Sequence, residues 1–235
     1  MSLNILHIDT ATSVCSVALS ENGVLKAYRD HEEPNIHASK LTLLIDDLMR
    51  EAGCEMGQLH AVAVSKGPGS YTGLRIGVSA AKGICFALDI PLLAVATLDA
   101  LAEGFLKEQG MGYSSNTLFC PMLDARRMEV YSAIYHQDKS LVAPTGARII
   151  DEHAFEAYSA SSIVLFGEGA NKLRELFEGH PFVQVVGGFR NSARYLVQEA
   201  ADRYQREVFE DLAYFEPFYL KDFIPTTPKK RISIQ

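Results

Sequence analysis

The sequence predicts an α/β protein in which mixed β-sheets are covered by helices. Short apolar or alternating runs, which are typical of strands, are interspersed with longer segments whose apolar residues recur every three or four positions, as in helices. Their order over the first half of the chain is β-β-β-α-β-α-β-α. This order indicates an antiparallel meander extended by parallel crossover strands.

The first half begins with three predicted strands, at 3–9, 14–19 and 24–29, and Asn22-Gly23 is typical of the hairpin turn between the last two. A polar loop then leads into a helix that Gly53 ends. The later elements predicted here are the following: that helix at 37–53, a buried strand at 60–65, a helix reaching about Leu88, a strand at 91–95, and a helix at 97–107 capped by Thr97.

A second, thinner half follows residues 110–116, which are rich in Gly and Ser and mark the predicted boundary. We expect an N-terminal lobe at 1–110, a smaller lobe at 111–208, and a tail at 209–235 that packs back on the first lobe. The elements predicted in the smaller lobe are strands at 117–123, 129–136, 147–150 and 162–166, helices at 151–158 and from Gly167 to about Phe177, and a final helix from Ser192 to about Glu207.

Composition limits the class of protein. The 235 residues carry a net charge of −7, and an acidic chain binds phosphate backbones poorly on its own. The four cysteines have no metal-ligand spacing, which indicates small buried thiols in a reducing compartment. No apolar run is long enough to span a bilayer and no signal-peptide pattern is present, so we expect a cytoplasmic protein.

A glycine-rich stretch from Gly67 to Gly77 joins a predicted strand to a predicted helix. This arrangement places backbone N–H groups where an anion can bind, although the spacing matches neither the Walker A loop nor the dinucleotide fingerprint. We expect an extended Gly67 before its proline, a Gly69 that is free to take a positive φ, and a helix cap from Ser70 or Thr72.

Two charged residues near this stretch, Arg75 and Asp9, each have more than one interpretation. Arg75 opposes the helix dipole, so we expect it to be compensated by Asp9, by Asp124 or by an anionic ligand. Asp9, followed by Thr10 and Ser13, ends the first strand, where an acid can orient a metal-bound water. The pattern alone favours a turn in which Asp9 and Thr10 satisfy their own backbone.

The helix after the glycine stretch is apolar on two sides, which indicates burial on two sides. One alternative is that it packs only against the helix at 37–53 of the same chain. The other is that both helices present a seam to another subunit. The residues of this predicted interface are Leu41, Leu44, Ile45, Leu48, Ile76, Gly77, Ala80, Gly83 and Ala87.

Several motifs together resemble the TsaB family, also called YeaZ. They are Ile8-Asp9-Thr10, the block from Gly67 to Gly77, Asp124-Ala125-Arg126 with Glu129-Val130-Tyr131, and Pro217-Phe218-Tyr219-Leu220-Lys221. The resemblance covers residues 3–135 and 217–221. Arg127-Met128 departs from it, since Met-Gly is usual there.

The resemblance implies the ASKHA fold, the duplicated actin-like architecture that binds a nucleotide between two lobes. In this chain we expect at most a vestigial site with weak or absent binding of ATP or ADP. The residues expected there are Asp9, Thr10, Ser13, Gly67, Gly69, Ser70, Thr72, Arg75, Asp124, Gly167 and Gly169.

The resemblance also implies a function. The paralogue TsaD, with the ATPase TsaE, installs threonylcarbamoyl on N6 of adenosine 37 in tRNAs that read ANN codons, and TsaB is its required partner. The histidines that hold the metal of TsaD correspond here to Thr97 and Leu101, neither of which replaces an imidazole.

We therefore expect no catalytic residues and no metal. The expected role is a scaffold that binds a TsaD-like paralogue, meets a TsaE-like ATPase, contacts tRNA only through the complex, and forms a homodimer when alone. An independent ASKHA-type nucleotide hydrolase or kinase is the alternative. A glycoprotease-like metallopeptidase, the older heading of the wider family, is disfavoured by the missing ligands.

Overall fold

The structure, a computed structural model, describes residues 2–33 and 36–221. Its first half is a five-stranded sheet in the order β3-β2-β1-β4-β5, with three helices. The elements are β1 (Asn4–Asp9), β2 (Val14–Glu21), β3 (Val24–Glu32), α1 (His37–Glu51), β4 (Ala61–Gly67), α2 (Tyr71–Leu88), β5 (Leu92–Ala96) and α3 (Thr97–Gln109).

The second half is another five-stranded sheet, in the order β10-β9-β6-β7-β8. Its strands are β6 (Thr117–Asp124), β7 (Glu129–Tyr135), β8 (Leu141–Ile149), β9 (Ser162–Phe166) and β10 (Val183–Val186), and α4 (Val197–Gln205) follows them.

The two sheets have the same topology. In each, the first strand pairs antiparallel with the second and parallel with the fourth, while the second pairs with the third and the fourth with the fifth. This duplication agrees with the expected architecture, although the sequence shows no internal repeat. The second copy is reduced, because short 3-10 turns stand where α1 and α2 stand in the first.

Two apolar layers hold the first sheet. On one face, α1 and α2 bury their apolar stripes against β1, β2 and β4. On the other face, α3 lies between the two sheets, where the ring of Phe105 stacks on that of Phe166 with centroids 3.9 Å apart. Because β1 and β4 are covered on both faces, every residue of β1 and nearly every residue of β4 is buried.

The strands and helices predicted for the first half are confirmed in type and order, and those for the second half need correction. The helix predicted at 151–158 is a set of turns with one 3-10 segment, Glu156–Tyr158. The helix predicted from Gly167 to Phe177 is a 3-10 segment at Glu168–Leu173 followed by turns. Strand β8 begins six residues earlier than 147, and β10 was not predicted.

Helix starts are partly as predicted. Ser192 does accept a hydrogen bond from the N–H of Arg194, so it caps a 3-10 turn that runs into α4. Thr97 is not the cap of α3, since Ala96 occupies that position. The Thr97 hydroxyl has a different partner, which is described below.

The segment after α4 returns to the first sheet. The N–H of Glu210 donates to the carbonyl of Leu92 at 2.9 Å, and that of Phe218 donates to the carbonyl of Lys66 at 2.7 Å. Lys82 of α2 donates to the carbonyls of Ala213 and Phe215. The basic run Lys229-Lys230-Arg231 lies outside the described residues.

The cysteines are free and buried, as predicted, and burial raises the pKa of the Cys15 and Cys85 thiols to about 11. In the two described ranges, no helix combines the length and the apolar character that crossing a membrane requires.

Candidate functional site

The glycine loop between β4 and α2 is tightly built into the first lobe. Gly67 has a φ of +114° and forms a cis peptide with Pro68, so the extended Gly67 predicted from the sequence is wrong. Gly69 has no positive φ. It is needed because a Cβ there would lie 2.4 Å from the carbonyl oxygen of Ala11.

Three N–H groups of this loop are bonded within the chain. The N–H of Gly67 donates to Thr97 Oγ1 at 3.1 Å, and that of Ser70 donates to the carbonyl of Ala11 at 2.7 Å. The N–H of Gly73 donates to Ser70 Oγ at 3.2 Å, so Ser70 rather than Thr72 caps α2. In this conformation these three N–H groups are not free to hold a phosphate.

Thr10 fixes the beginning of α2 against the turn between β1 and β2. Its Oγ1 donates to the carbonyl of Gly73 at 2.8 Å. A Cβ at Gly73 would lie 2.1 Å from the Thr10 carbonyl oxygen, and one at Gly77 would lie 2.2 Å from Thr10 Oγ1. Gly77 therefore serves an internal contact, and its predicted place in a partner interface is wrong.

Asp9 is buried and bonded to neutral donors. Its Oδ1 accepts from the Ala11 N–H and from Ser65 Oγ, both at 2.9 Å, and its Oδ2 faces Asn191 Nδ2 at 3.4 Å. Burial raises the pKa of the Asp9 carboxyl, and these hydrogen bonds oppose that rise. The contact to Ala11 agrees with the turn predicted for Asp9, whereas Thr10 bonds Gly73 of α2 and not its own turn.

Arg75 is not paired with either acid that the sequence suggested. Its guanidinium is exposed and donates to the Tyr71 hydroxyl at 2.7 Å, whereas Asp9 is 1% exposed and bonds Ala11, Ser65 and Asn191. Asp124 pairs with Lys172 at 2.5 Å. The ion pairs predicted for Arg75 with Asp9 and with Asp124 are therefore both wrong.

The second glycine turn lies across the junction of the two lobes. A Cβ at Gly167 would lie 2.4 Å from the carbonyl oxygen of Met122, and one at Gly169 would lie 2.6 Å from the carbonyl carbon of Leu123. Both glycines are thus explained by close packing on β6. Between them, Glu168 reaches the first lobe.

Glu168 places a carboxyl group at the junction of the two lobes, next to the turn that holds Ser13. Its side chain accepts hydrogen bonds from the backbone of Ser13 and Asp124. Burial, and then the charge of Asp124, raise the pKa of this carboxyl. An ionised carboxylate bonded to the Ser13 backbone would repel a phosphate brought to the same place.

A short run of the second lobe closes the same junction. Asn191 is 3% exposed and faces Asp9, the Ser192 hydroxyl donates to Asp30 at 2.8 Å, and the Ala193 N–H donates to Ser16 at 2.7 Å. Sequence analysis missed Asn191 and Glu168 because neither belongs to a motif that marks a lobe contact.

The two positions that correspond to metal ligands in the resembled paralogue are used for packing. Thr97 is fully buried and accepts from Gly67, and Leu101 is fully buried beside Gly167. Within the described part of the chain, no group of three or more His, Cys, Asp or Glu side chains is placed to hold a metal ion.

The outer side of α2 is an apolar surface with small residues. Ile76 and Ala80 are half-buried, Gly83 and Ala87 are exposed, and a Cβ added at Gly83 would meet no atom within 4 Å. Phe86 beside them is 82% exposed. We call Ile76, Ala80, Gly83, Phe86 and Ala87 the outer strip of α2.

Helix α1 contributes less to this surface than predicted. Leu41, Ile45 and Leu48 are at most 5% exposed and lie in the core with the inner side of α2. Their predicted role in a partner interface is therefore wrong, because almost none of their surface is exposed. Leu44 is half-buried at the edge, and Leu43, which the prediction omitted, is 54% exposed.

A groove of about 500 Å³ lies at the amino-terminal end of the outer strip. The C-terminal segment borders it, since the ring of Tyr219 packs on that of Tyr71 with centroids 4.8 Å apart. The residues that line the groove are Ala38, Tyr71, Thr72, Arg75, Ile76 and Ser79.

Comparisons with known proteins agree with this architecture. The model of the family described as TsaD, tRNA N6-adenosine threonylcarbamoyltransferase, matches residues 34–232. The tRNA threonylcarbamoyladenosine biosynthesis protein TsaB of Escherichia coli (strain K12) is 36% identical over 140 residues, which are 59% of this chain and 57% of that protein. The match thus spans little more than half the length of this curated relative.

Solved structures extend the likeness over nearly the whole chain. YeaZ from Pseudomonas aeruginosa has a TM-score of 0.77 at 29% identity, and the match covers 93% of this chain and 99% of that one. A second match is the activator of the 2-hydroxyisocaproyl-CoA dehydratase from Clostridium difficile with bound ADPNP. It has a TM-score of 0.51 at 9% identity, and the match covers 88% of this chain and 97% of that one. At this low identity the likeness shows the fold alone. The ASKHA fold and the resemblance to TsaB are thereby confirmed.

Proposed function

This chain belongs to the family of the tRNA N6-adenosine threonylcarbamoyltransferase TsaD, and on that basis we propose that it is a non-catalytic subunit in the biosynthesis of threonylcarbamoyladenosine in tRNA. It works in the cytoplasm by binding a TsaD-like paralogue that performs the transfer. The relative TsaB, which is named for the same biosynthesis, supports this role.

The absence of catalysis in this chain is supported by what replaces the metal ligands. A transition metal needs imidazole, thiolate or carboxylate donors, and the corresponding positions hold the buried Thr97 and Leu101. The contact of Glu168 with the Ser13 backbone at the lobe junction supports the absence of a bound nucleotide. We propose that the chain needs no cofactor of its own.

The outer strip of α2 is the observation that carries the partner assignment. Small side chains at Ala80, Gly83 and Ala87 let a second helix approach closely, and Ile76 and Phe86 supply apolar area that the chain leaves exposed. We propose that the paralogue packs its corresponding helix here, and that two copies of this chain use the same strip when the paralogue is absent. A TsaE-like ATPase joins the resulting pair.

Co-purification tests this assignment. The variants Ile76→Glu and Ala80→Arg place charge in the strip, and Val24→Glu serves as the matched control, because Val24 is 68% exposed on the edge strand β3. We expect both strip variants to fold as the wild type does by circular dichroism and to lose the paralogue, while the control keeps it. Retention of the paralogue by both strip variants would refute the assignment.

A further inference from the structure

The hairpin between β6 and β7 carries two exposed arginines on a fixed turn. Arg126 and Arg127 have φ values of 72° and 51°, a region that non-glycine residues seldom adopt. The turn is closed by hydrogen bonds from the Ala125 N–H to the Glu129 carbonyl at 3.1 Å and from the Glu129 N–H to the Arg126 carbonyl at 3.2 Å. The Arg126 N–H also donates to Asp124 Oδ1 at 3.0 Å.

The acids at the base of this hairpin are neutralised by lysines. Lys172 binds Asp124 at 2.5 Å and the Glu129 carbonyl at 2.6 Å. Lys221, from the C-terminal segment, binds the Glu129 carboxylate. Glu168, the other acid near Asp124, lies on the inner side, where it accepts from Ser13 and faces the charge of Arg190.

Two positive charges therefore remain uncompensated at the tip. Within residues 2–33 and 36–221, neither the Arg126 nor the Arg127 side chain forms an ion pair, unlike Lys172 and Lys221 beneath them. The whole chain carries −7, so such a local excess of positive charge runs against the overall balance. Guanidinium groups present planar forks of N–H donors that match phosphate oxygens.

We propose that the Arg126-Arg127 tip contacts the phosphate backbone of the tRNA substrate. This inference rests on the proposed function and goes beyond it, because there the tRNA meets this chain only through the paralogue. The tip supplies sequence-independent contacts that position the RNA and read no bases. Its turn is closed by backbone hydrogen bonds, so both arginines are carried side by side on one short hairpin.

The test is tRNA binding by the complex of the full chain with its paralogue, measured across a salt series with a transcript of a tRNA that reads an ANN codon. The double variant Arg126→Gln/Arg127→Gln removes the charge but keeps a Cβ at both positions. Removing one arginine–phosphate ion pair at 0.1 M salt weakens binding by roughly five- to eightfold and lowers the slope of log K against log salt by about 0.7 to 0.9. For the double variant we therefore expect roughly 25- to 64-fold weaker binding and a slope lower by about 1.4 to 1.8.

Two further variants make the result specific. The double variant Lys107→Gln/Arg206→Gln removes the same charge at two exposed sites that form no ion pair with a described residue, and we expect wild-type binding and slope. Arg126→Lys/Arg127→Lys retains the charge, and we expect it to keep most of the slope.

An unchanged affinity and slope in the Arg126→Gln/Arg127→Gln complex would overturn the tip proposal and leave the proposed function standing. A wild-type chain that binds tRNA neither alone nor in the complex would also overturn it. Failure of the chain to bind the paralogue at all would instead refute the proposed function. In that case the same salt series would be measured on the isolated chain.

Discussion

His7 gives the protein a calculable loss of stability in mild acid. The imidazole lies in β1 with no exposed surface, its Nε2 is 2.7 Å from Ser20 Oγ, and its Nδ1 has no partner in the described structure. Burial lowers the pKa of His7 from 6.5 to about 3. Below pH 6.5 the His7 imidazole therefore binds a proton in the unfolded chain but stays neutral in the folded chain. The free energy of unfolding falls as the pH falls towards 3.

The magnitude follows from the two pKa values. One pKa unit corresponds to about 1.4 kcal/mol, so lowering the pH from 7 to 5 removes about 2 kcal/mol of the free energy of unfolding through this residue alone. Asp9 acts in the opposite sense, because its raised pKa makes the folded state bind the extra proton above pH 3.8. A comparison with a His7 variant is needed to separate the two.

Urea unfolding of the wild type and of His7→Gln at pH 7, 6 and 5 makes that comparison. Since glutamine does not titrate, the stability difference between the two proteins should move by about 2 kcal/mol in favour of the variant between pH 7 and pH 5. Parallel pH profiles for the two proteins would refute the reasoning, since His7 would then titrate alike in the folded and unfolded chains.

Three further predictions concern α2, its loop and the thiols. Gly73→Ala should destabilise the protein by about 1 to 3 kcal/mol, because the added Cβ would lie 2.1 Å from the Thr10 carbonyl oxygen. Gly83→Ala, which adds a Cβ in open space, should stabilise the protein by about 0.5 to 1 kcal/mol. Equal melting temperatures of the two variants would contradict this. Thr97→Val should cost about 1 to 3 kcal/mol in urea unfolding, since it leaves the Gly67 N–H without its partner, and an unchanged midpoint would show that this bond contributes nothing. The four buried thiols should react with a disulfide reagent only after denaturation, and rapid labelling of the folded chain would contradict their burial.

Sequence patterns predicted the first lobe well because each of its elements carries a strong local signal. Asn22-Gly23 marks the hairpin, and the apolar stripe of α1 has clear helical spacing. In the second lobe the connections are single 3-10 turns, such as Glu168–Leu173, which have no periodicity to detect. The duplication is visible only in the strand order, since the two halves have diverged in sequence.

The partner surface was less predictable, because an apolar stripe on a helix does not determine whether the same chain or another subunit covers it. Leu41 and Gly83 both looked suitable for a partner, but Leu41 packs on the chain's own sheet and Gly83 does not. Gly77 faces Thr10, a contact that depends on how α2 docks on the turn after β1. Such contacts join residues far apart in the sequence, and no local pattern records them.

The central claim is tested most directly by the threonylcarbamoyladenosine content of tRNA, measured by mass spectrometry of digested nucleosides from cells depleted of the endogenous copy of this protein. We expect depletion to lower the modified nucleoside, the wild-type chain and Val24→Glu to restore it, and Ile76→Glu to leave it low although the variant is folded and present. An unchanged level after depletion, or full restoration by Ile76→Glu, would contradict the account.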